Sequence, residues 1–250
     1  MNDVNIYKDI GSLLASSKNT VVVTGAGIST EAGIPDFRGE KGIYRTLGED
    51  KVMNLINVDA FRRRTEEFYK FYRNYFMLPK VKPSRAHYLL AEMEKKGIIK
   101  AIVTQNIDNL HQKAGSKRVI AVHGNADNFI CTKIGCPTMV DGDYVRSVSD
   151  LVPKCPQCGS ILKPDVVLFG EPIQNHRLAR DTILNAQLLV VIGSSLTVYP
   201  LAGFVGEYCA SSEKFIIINK GPTALDHKAT VKLDTDNTGK ALEEILKYIE

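Results

Sequence analysis

Thr20-Val21-Val22-Val23-Thr24-Gly25-Ala26-Gly27-Ile28-Ser29-Thr30-Glu31-Ala32-Gly33-Ile34-Pro35-Asp36-Phe37-Arg38 is the stretch that decides the fold class of this 250-residue chain. The β-branched run Thr20 to Thr24 predicts a buried strand. A strand that ends in Gly25-Ala26-Gly27 and turns into a helix start is how α/β proteins hold a dinucleotide pyrophosphate. The glycines let the backbone approach, and the helix N-terminus offers free N–H groups and a positive dipole. The sixth position of the usual G-x-G-x-x-G pattern is Thr30 rather than Gly. Asp36-Phe37-Arg38 follows on a Gly/Pro-framed loop, an arrangement suited to a lid over a ligand.

Outward from this stretch, strand-like runs alternate with helix-like runs, the pattern of a parallel sheet covered on both faces. Further strands are expected at 98–104, 119–122, 188–193 and 215–219. Leu188-Leu189-Val190-Val191-Ile192 and Phe215-Ile216-Ile217-Ile218 are continuous apolar runs, as strands buried on both faces require. Helices are expected at 84–96, 200–211 and 238–249, the last with Ala241, Ile245 and Ile249 four residues apart. Two segments break the alternation. Residues 40–82 contain a long amphipathic helix, with Phe61, Phe68, Tyr72 and Tyr75 at helical spacing, but no convincing strand, and 127–164 read as a small inserted module.

The chain is 44% hydrophobic and 24% charged, enough apolar content to bury a full core. Its net charge of +4 is not clustered: Arg62-Arg63-Arg64 reads as a solvated helix face. Direct nucleic-acid binding is therefore not expected. No apolar run approaches the ~18 residues needed to cross a bilayer. Met1-Asn2-Asp3-Val4-Asn5 lacks the features of a signal peptide. The expectation is a soluble, cytoplasmic protein without a membrane partner. Its five cysteines are then reduced, and four clustered ones ask for a metal.

Those four are Cys131, Cys136, Cys155 and Cys158. Cys155-Pro156-Gln157-Cys158-Gly159 is a zinc knuckle, whose two intervening residues place both sulfurs on one tetrahedral ion. The first pair has four residues between its cysteines, the long end of ligand spacing. Four thiolates leave no open position, so one structural zinc ion is expected. Cys209 is assigned to the core.

The polar chemistry gathers where strands end. Four amide or carboxylate side chains follow one another at Gln105-Asn106-Ile107-Asp108-Asn109. They are expensive to bury without a ligand, and ligands in such folds sit at carboxyl ends. His123-Gly124 ends the next apolar strand, where a histidine is placed to act as a base near neutral pH. His87, His111, His176 and His227 have no such context. Gly193-Ser194-Ser195 and Asn219-Lys220-Gly221 end two more strands and suit phosphate and ribose oxygens. Asp236-Asn237 either contacts the adenosine or caps the last helix. Lys163 to Glu171 returns from the cysteine module as an extended segment that either pairs with an incoming peptide or anchors the module.

Together these residues closely resemble the sirtuins, the NAD-dependent protein-lysine deacylases. Gly25–Arg38, Gln105–Asp108, His123-Gly124, the four cysteines, Phe169-Gly170-Glu171, Gly193-Ser194-Ser195 and Asn219 appear in family order across nearly the whole chain. The resemblance implies a Rossmann-like sheet domain (1–39, 83–126 and 165–250), a helical insertion (40–82) and a zinc ribbon (127–164). NAD and an acylated lysine of a protein or peptide would meet in the cleft between them. It implies that Gly25, Ala26, Gly27, Thr30, Asp36, Phe37 and Arg38 line the cofactor pocket. Gln105, Asn106, Ile107 and Asp108 would hold the nicotinamide end and ribose. Gly193, Ser194, Ser195, Asn219, Lys220, Gly221, Asp236 and Asn237 would hold phosphates and adenosine. Val167, Phe169, Gly170 and Glu171 would hold the substrate, and His123, with Asn106 and Asp108, would carry the catalysis. The implied reaction consumes NAD and gives nicotinamide, O-acyl-ADP-ribose and free lysine, with His123 as general base on a ribose hydroxyl. Family members that prefer succinyl groups carry a Tyr and an Arg three residues apart; here Tyr69 and Arg73 are four apart. Deacetylation is therefore expected over desuccinylation. Mono-ADP-ribosyl transfer at the same site, an NAD(P)-dependent oxidoreductase and a non-enzymatic NAD-binding scaffold are the competing readings.

Overall fold

A computed structural model describes residues 3–39, 42–77, 80–212 and 214–249. The strands are β1 (Thr20–Thr24), β2 (Ala101–Thr104), β3 (Val119–Ala121), β4 (Gly124–Cys131), β5 (Met139–Asp141), β6 (Leu162–Val166), β7 (Leu188–Ile192), β8 (Phe215–Ile218) and β9 (Val231–Leu233). The helices are α1 (Asp3–Ser16), α2 (Ile43–Leu47), α3 (Glu49–Leu55), α4 (Val58–Arg63), α5 (Thr65–Tyr75), α6 (Arg85–Lys95), α7 (Leu110–Lys113), α8 (Gly142–Ser147), α9 (His176–Leu184), α10 (Leu201–Ser211) and α11 (Thr238–Leu246).

Six strands form one parallel sheet in the order β3-β2-β1-β7-β8-β9. The order reverses between β1 and β7, and a doubly wound sheet offers its ligand crevice outside the carboxyl ends at that point. Strand alternation divides the apolar runs between two layers. Val22, Ile102, Val190, Ile216 and Ile218 face Ile10 and Leu14 of α1, Leu90 and Met93 of α6, and Leu242 and Ile245 of α11. Val21, Val23, Val103, Leu189, Val191 and Ile217 face Ile183 of α9 and Leu201, Phe204, Val205 and Tyr208 of α10. Each such side chain contributes about 1.5–3 kcal/mol when fully buried. The expected strands and the helices 84–96, 200–211 and 238–249 are all present, with ends shifted by a few residues. The sequence reading had no assignment for α1, α9 or the short edge strand β9.

The long helix expected through Phe61 to Tyr75 is broken at Arg64; residues 40, 41, 78 and 79 of the 40–82 segment lie outside the described residues. The described part folds as the four helices α2 to α5. Gly48, at φ +86°, separates α2 from α3, and Arg64, at φ −132° and ψ 47°, separates α4 from α5. Phe61 therefore lies on a different helix from Phe68 and Tyr72, and Tyr75 is 44% exposed rather than core.

The cysteine segment is a three-stranded antiparallel sheet in the order β5-β4-β6. It does not have a core of its own. Phe61, Phe68, Tyr69, Tyr72 and Phe76 from the helices pack with Phe129, Val145, Cys155, Leu162 and Val166 from the small sheet. The rings of Tyr72 and Phe129 meet edge to face at 6.1 Å, and Phe68 stacks on Tyr72 at 5.6 Å. The helical segment and the cysteine segment thus share one hydrophobic core.

Candidate active site

The loops leaving β1 and β7 cross at the switch point. Gly25 N–H donates to the Ile192 carbonyl at 3.1 Å, and Gly27 N–H to the Gly193 carbonyl at 2.9 Å. Cβ atoms added at Gly25 and Gly27 would lie 2.7 and 2.8 Å from atoms of Gly193, which itself has φ +62°. These glycines are therefore required for one loop to lie against the other, a role that the reading of a phosphate approach did not include. The chain after Gly25 makes a 3-10 turn over Ala26–Ala32. Thr30 Oγ1 donates back to the Gly27 carbonyl, and Asp36 accepts from the Gly39 N–H at 2.8 Å, closing the loop that carries Phe37. Phe37 packs edge-on against Tyr44 at 5.4 Å, and Arg38 lies over the same tyrosine ring at 5.0 Å while facing Glu49.

The carboxyl ends of β2 and β3 carry the densest polar cluster. Ser29 donates to Asp108 Oδ2 at 2.6 Å and receives a hydrogen bond from Asn106 Nδ2 at 3.2 Å. Asp108 Oδ1 accepts from the Leu110 N–H at 2.9 Å, and Ser194 donates to Gln105 Oε1 at 3.3 Å. Ser29, Asn106, Asp108 and Ser194 are each less than a tenth exposed; hydrogen bonds join the first three to one another and Ser194 to Gln105. Ser29, which the sequence reading passed over, is the link between Asn106 and Asp108. Its one signal was its place inside the opening stretch. A narrow cavity lined by Ile34, Ile107, Asp108 and Ala126 adjoins the cluster.

His123 follows β3. Its Nδ1 lies 3.0 Å from the Gln105 carbonyl, which can only accept, so Nδ1 holds the proton and Nε2 carries the lone pair. Burial lowers its pKa below the ordinary imidazole value, against a smaller opposing effect of the Gln105 carbonyl. A ring so held is neutral at physiological pH and presents a base nitrogen.

Behind this face lie two more imidazoles, the core histidines His87 and His111, with ring centroids 4.8 Å apart. Both are fully buried. Burial pushes His87 down to about 4, opposed by the Asp108 carboxylate, and His111 down to about 3, reinforced by His87.

At the far side of the switch point, Ser195 Oγ lies 3.0 Å from Thr197 Oγ1, and Asn219 Nδ2 donates to the Lys220 carbonyl at 2.8 Å. Lys220 ion-pairs with Asp236 at 3.6 Å, and Gly221 N–H points at the Asp234 carboxylate. Asn237 caps α11 through its side chain, accepting from the Lys240 N–H at 2.8 Å.

The segment after the small sheet is anchored at several points. β6 pairs with β4, the Val167 N–H donates to the His123 carbonyl, and Phe169 bridges to Ile56 and Val58 through its N–H and C=O. Glu171 accepts from the Leu168 N–H at 2.9 Å and from Lys163 Nζ at 3.0 Å, fixing the turn at Gly170. Tyr69 donates its hydroxyl to the Leu162 carbonyl, and the Arg73 guanidinium donates to the Asp150 and Leu151 carbonyls at 2.8 and 2.9 Å. Both side chains tie α5 to the small sheet.

The four thiols of that sheet suit a tetrahedral ion. All Sγ atoms lie within 4.8 Å of one another, with Cys131 and Cys158 at 3.4 Å and Cys136 and Cys155 at 3.8 Å. Tetrahedral Zn–S bonds of about 2.3 Å require sulfurs roughly 3.8 Å apart. Gly135 at φ +81° and Gly159 at φ +73° make both turns possible, and Cys131 N–H donates to the Thr138 carbonyl, closing the longer first gap. A zinc ion held there is structural, because four cysteines complete its shell. Cys209 lies elsewhere, half-buried against α10's own layer.

Among the described residues, no helix is long and apolar enough to cross a membrane. The chain matches the Sir2 family model over residues 25–200. It is 42% identical to an NAD-dependent protein deacetylase of Thermotoga maritima over 232 residues, 92% of this chain and 93% of that one. Among solved structures, a Sir2 complex with a p53 peptide and NAD+ is 40% identical, with a TM-score of 0.82 and coverage of 94% of this chain and 95% of that one. A Sir2 variant with a deacetylated p53 peptide and 3'-O-acetyl ADP ribose is 39% identical, with a TM-score of 0.85 and coverage of 96% and 97%. A doubly wound sheet whose switch point carries the Gly25–Arg38 loop, a neutral histidine beside the Gln105–Asp108 cluster, and a four-cysteine sheet sharing the helical insertion's core are features these relatives explain together: the chain belongs to the Sir2 family, the sirtuins.

Proposed function

We propose that this protein removes acetyl groups from lysine side chains of proteins or peptides, consuming NAD and one water and giving nicotinamide, O-acetyl-ADP-ribose and free lysine. The observation that carries the proposal is His123, a neutral imidazole whose Nδ1 is committed to the Gln105 carbonyl, which leaves Nε2 as the base nitrogen. In this reading Gly25, Ala26, Gly27, Thr30 and the Asp36-Phe37-Arg38 loop enclose the nicotinamide riboside, with Phe37 shielding the reacting carbon from water. Gln105, Asn106, Ile107 and Asp108 orient the nicotinamide and ribose. Gly193, Ser194, Ser195, Asn219, Lys220, Gly221, Asp236 and Asn237 line the phosphate and adenosine end. Val167, Phe169, Gly170 and Glu171 border the acyl-lysine. His123 takes the proton of a ribose hydroxyl as that oxygen attacks the activated acyl carbon. Bound NAD would supply the electrophilic ribose carbon, and a zinc ion held by Cys131, Cys136, Cys155 and Cys158 would supply stability alone.

Acetyl is favoured over succinyl because Tyr69 and Arg73 are engaged by backbone carbonyls of the small sheet. The domain division 1–39, 83–126 and 165–250 against 40–82 and 127–164 belongs to the same proposal. So does a cytoplasmic location. The test is incubation with NAD and an acetyl-lysine peptide, read by mass spectrometry. Equimolar nicotinamide, deacetylated peptide and O-acetyl-ADP-ribose are expected, with turnover lowered ~10²–10⁴-fold in His123→Ala. NAD bound but intact, or a His123→Ala protein as fast as the parent, would refute the proposal.

A further inference from the structure

The carbonyl that fixes His123 belongs to a peptide group held from its other edge. The C=O of Gln105 and the N–H of Asn106 are opposite ends of one planar unit. The carbonyl faces His123 Nδ1 at 3.0 Å, and the N–H donates to Thr104 Oγ1 at 3.0 Å. Thr104 Oγ1 also accepts from the Thr24 hydroxyl at 2.8 Å, and Thr24 Oγ1 lies 2.9 Å from His111 Nε2. Because Thr24's hydrogen is directed to Thr104, Thr24 receives its own bond from His111 Nε2–H. Two buried donors therefore converge on Thr104 Oγ1: the Thr24 hydroxyl, itself held by the His111 imidazole, and the N–H of the peptide beside His123, with Thr24 at 0% and Thr104 at 2% exposure. On the preceding side, the Gln105 N–H is held by the Thr24 carbonyl at 3.0 Å.

We propose that Thr104, supported by Thr24 and His111, is a positioning residue that sets the tautomer and aim of His123 by holding the Gln105–Asn106 peptide in this orientation. Were the peptide reversed, the Asn106 N–H would face His123 Nδ1. A donor there requires a lone pair on Nδ1, so the ring proton moves to Nε2, the nitrogen needed as base. The wrong tautomer of a general-base histidine lowers turnover by up to ~10⁴ in a serine protease triad. The inference rests on the reading of His123 as base only for its kinetic consequence.

The test is the ¹⁵N spectrum of the histidine rings in the full chain, with steady-state kinetics on NAD and an acetyl-lysine peptide. The parent protein should show His123 protonated on Nδ1 and His111 on Nε2. Thr104→Val, which keeps the shape and removes the acceptor, should shift His123 toward the Nε2–H form. It should also lower kcat by about 10-fold or more with KM for the peptide little changed. Thr104→Ser, which restores the hydroxyl, should return both. A His123 ring that stays Nδ1-protonated in Thr104→Val overturns the proposal, whether or not kcat falls. So does a parent protein whose His123 carries its proton on Nε2, a result that needs no variant to fold. A shifted tautomer with unchanged kcat supports the positioning role and instead refutes His123 as base.

Discussion

The crossing of the β1 and β7 loops makes Gly193→Ala a sensitive probe of the switch point. Two terms act. The residue has φ +62°, a left-handed conformation that costs an alanine about 1–2 kcal/mol. Its Cβ would lie 2.4 Å from the Ile28 nitrogen and 2.7 Å from the Gly27 carbonyl carbon. Both are backbone atoms, unable to rotate away, and forcing an extra carbon into such a contact costs about 1–3 kcal/mol more. The sum, roughly 2–5 kcal/mol, corresponds to a melting temperature about 4–20 °C lower for a chain of this size. Gly206→Ala is the matched control. It makes the same chemical change within α10, where an added Cβ has nothing within 4 Å. There the substitution should stabilise by about 0.5–1 kcal/mol, since glycine is the poorer helix former. Urea unfolding of the two variants beside the parent reads both signs under one condition. If Gly193→Ala unfolds at the parent's midpoint, or Gly206→Ala loses as much as Gly193→Ala, the steric account of the crossing is wrong.

Three further outcomes follow from features already described. His87 and His111 have folded pKa values of about 4 and about 3, below the unfolded 6.5, so below that pH the unfolded chain binds more protons than the native one. Stability is therefore complete above about pH 6.5 and falls as pH drops toward 4 and below. His87→Gln should flatten that limb in urea titrations at pH 6.5, 5.5 and 4.5, and an unchanged slope would count against the linkage. Stripping zinc with a thiol-directed mercurial and a chelator should release one ion per chain and collapse the near-UV circular dichroism of the shared aromatic core; a full signal without metal would show that the core stands without it. Arg73→Ala should lower the melting temperature by removing two charge-assisted bonds to Asp150 and Leu151, about 1.5–3 kcal/mol each at most, and leave the ratio of deacetylation to desuccinylation unchanged. A changed ratio would place Arg73 at the acyl group.

How much of this was legible depended on whether the signal was local. Leu188–Ile192 and Phe215–Ile218 announced themselves as continuous apolar strands, and the Gln105–Asp108 cluster and His123 did so as polar residues at strand ends. α1 was readable in the spacing of Ile6, Ile10, Leu13 and Leu14, although Gly11 in its middle lowers helix propensity; that glycine is needed because a Cβ there would meet Tyr248 at 2.6 Å. β9 was not readable: three residues with Lys232 at the centre carry no period, and the lysine is accommodated by bonds to Asp226 and the Gly221 carbonyl. The helical spacing from Phe61 to Tyr75 ran across Arg64, where the sequence carries neither Gly nor Pro to mark the break. The links through Ser29, Thr24 and His111 join residues 77 to 87 positions apart, and no local pattern reports such pairing.

The shared core of the two insertions also orders events during synthesis. The aromatic face of α4 and α5 is complete once Phe76 is made, but its covering residues run from Ala126 to Leu168. Some 92 residues must therefore be translated before that face can be fully enclosed. At ordinary elongation rates this is roughly 5–20 s. Throughout that interval Phe61, Phe68, Tyr69 and Tyr72 present a sticky surface on the nascent chain, with β1 made and its neighbour β7 still to come. The burden on cellular chaperones should accordingly be greatest for ribosome-bound chains ending between Phe76 and Leu168, and should fall once the cysteine sheet has left the exit tunnel.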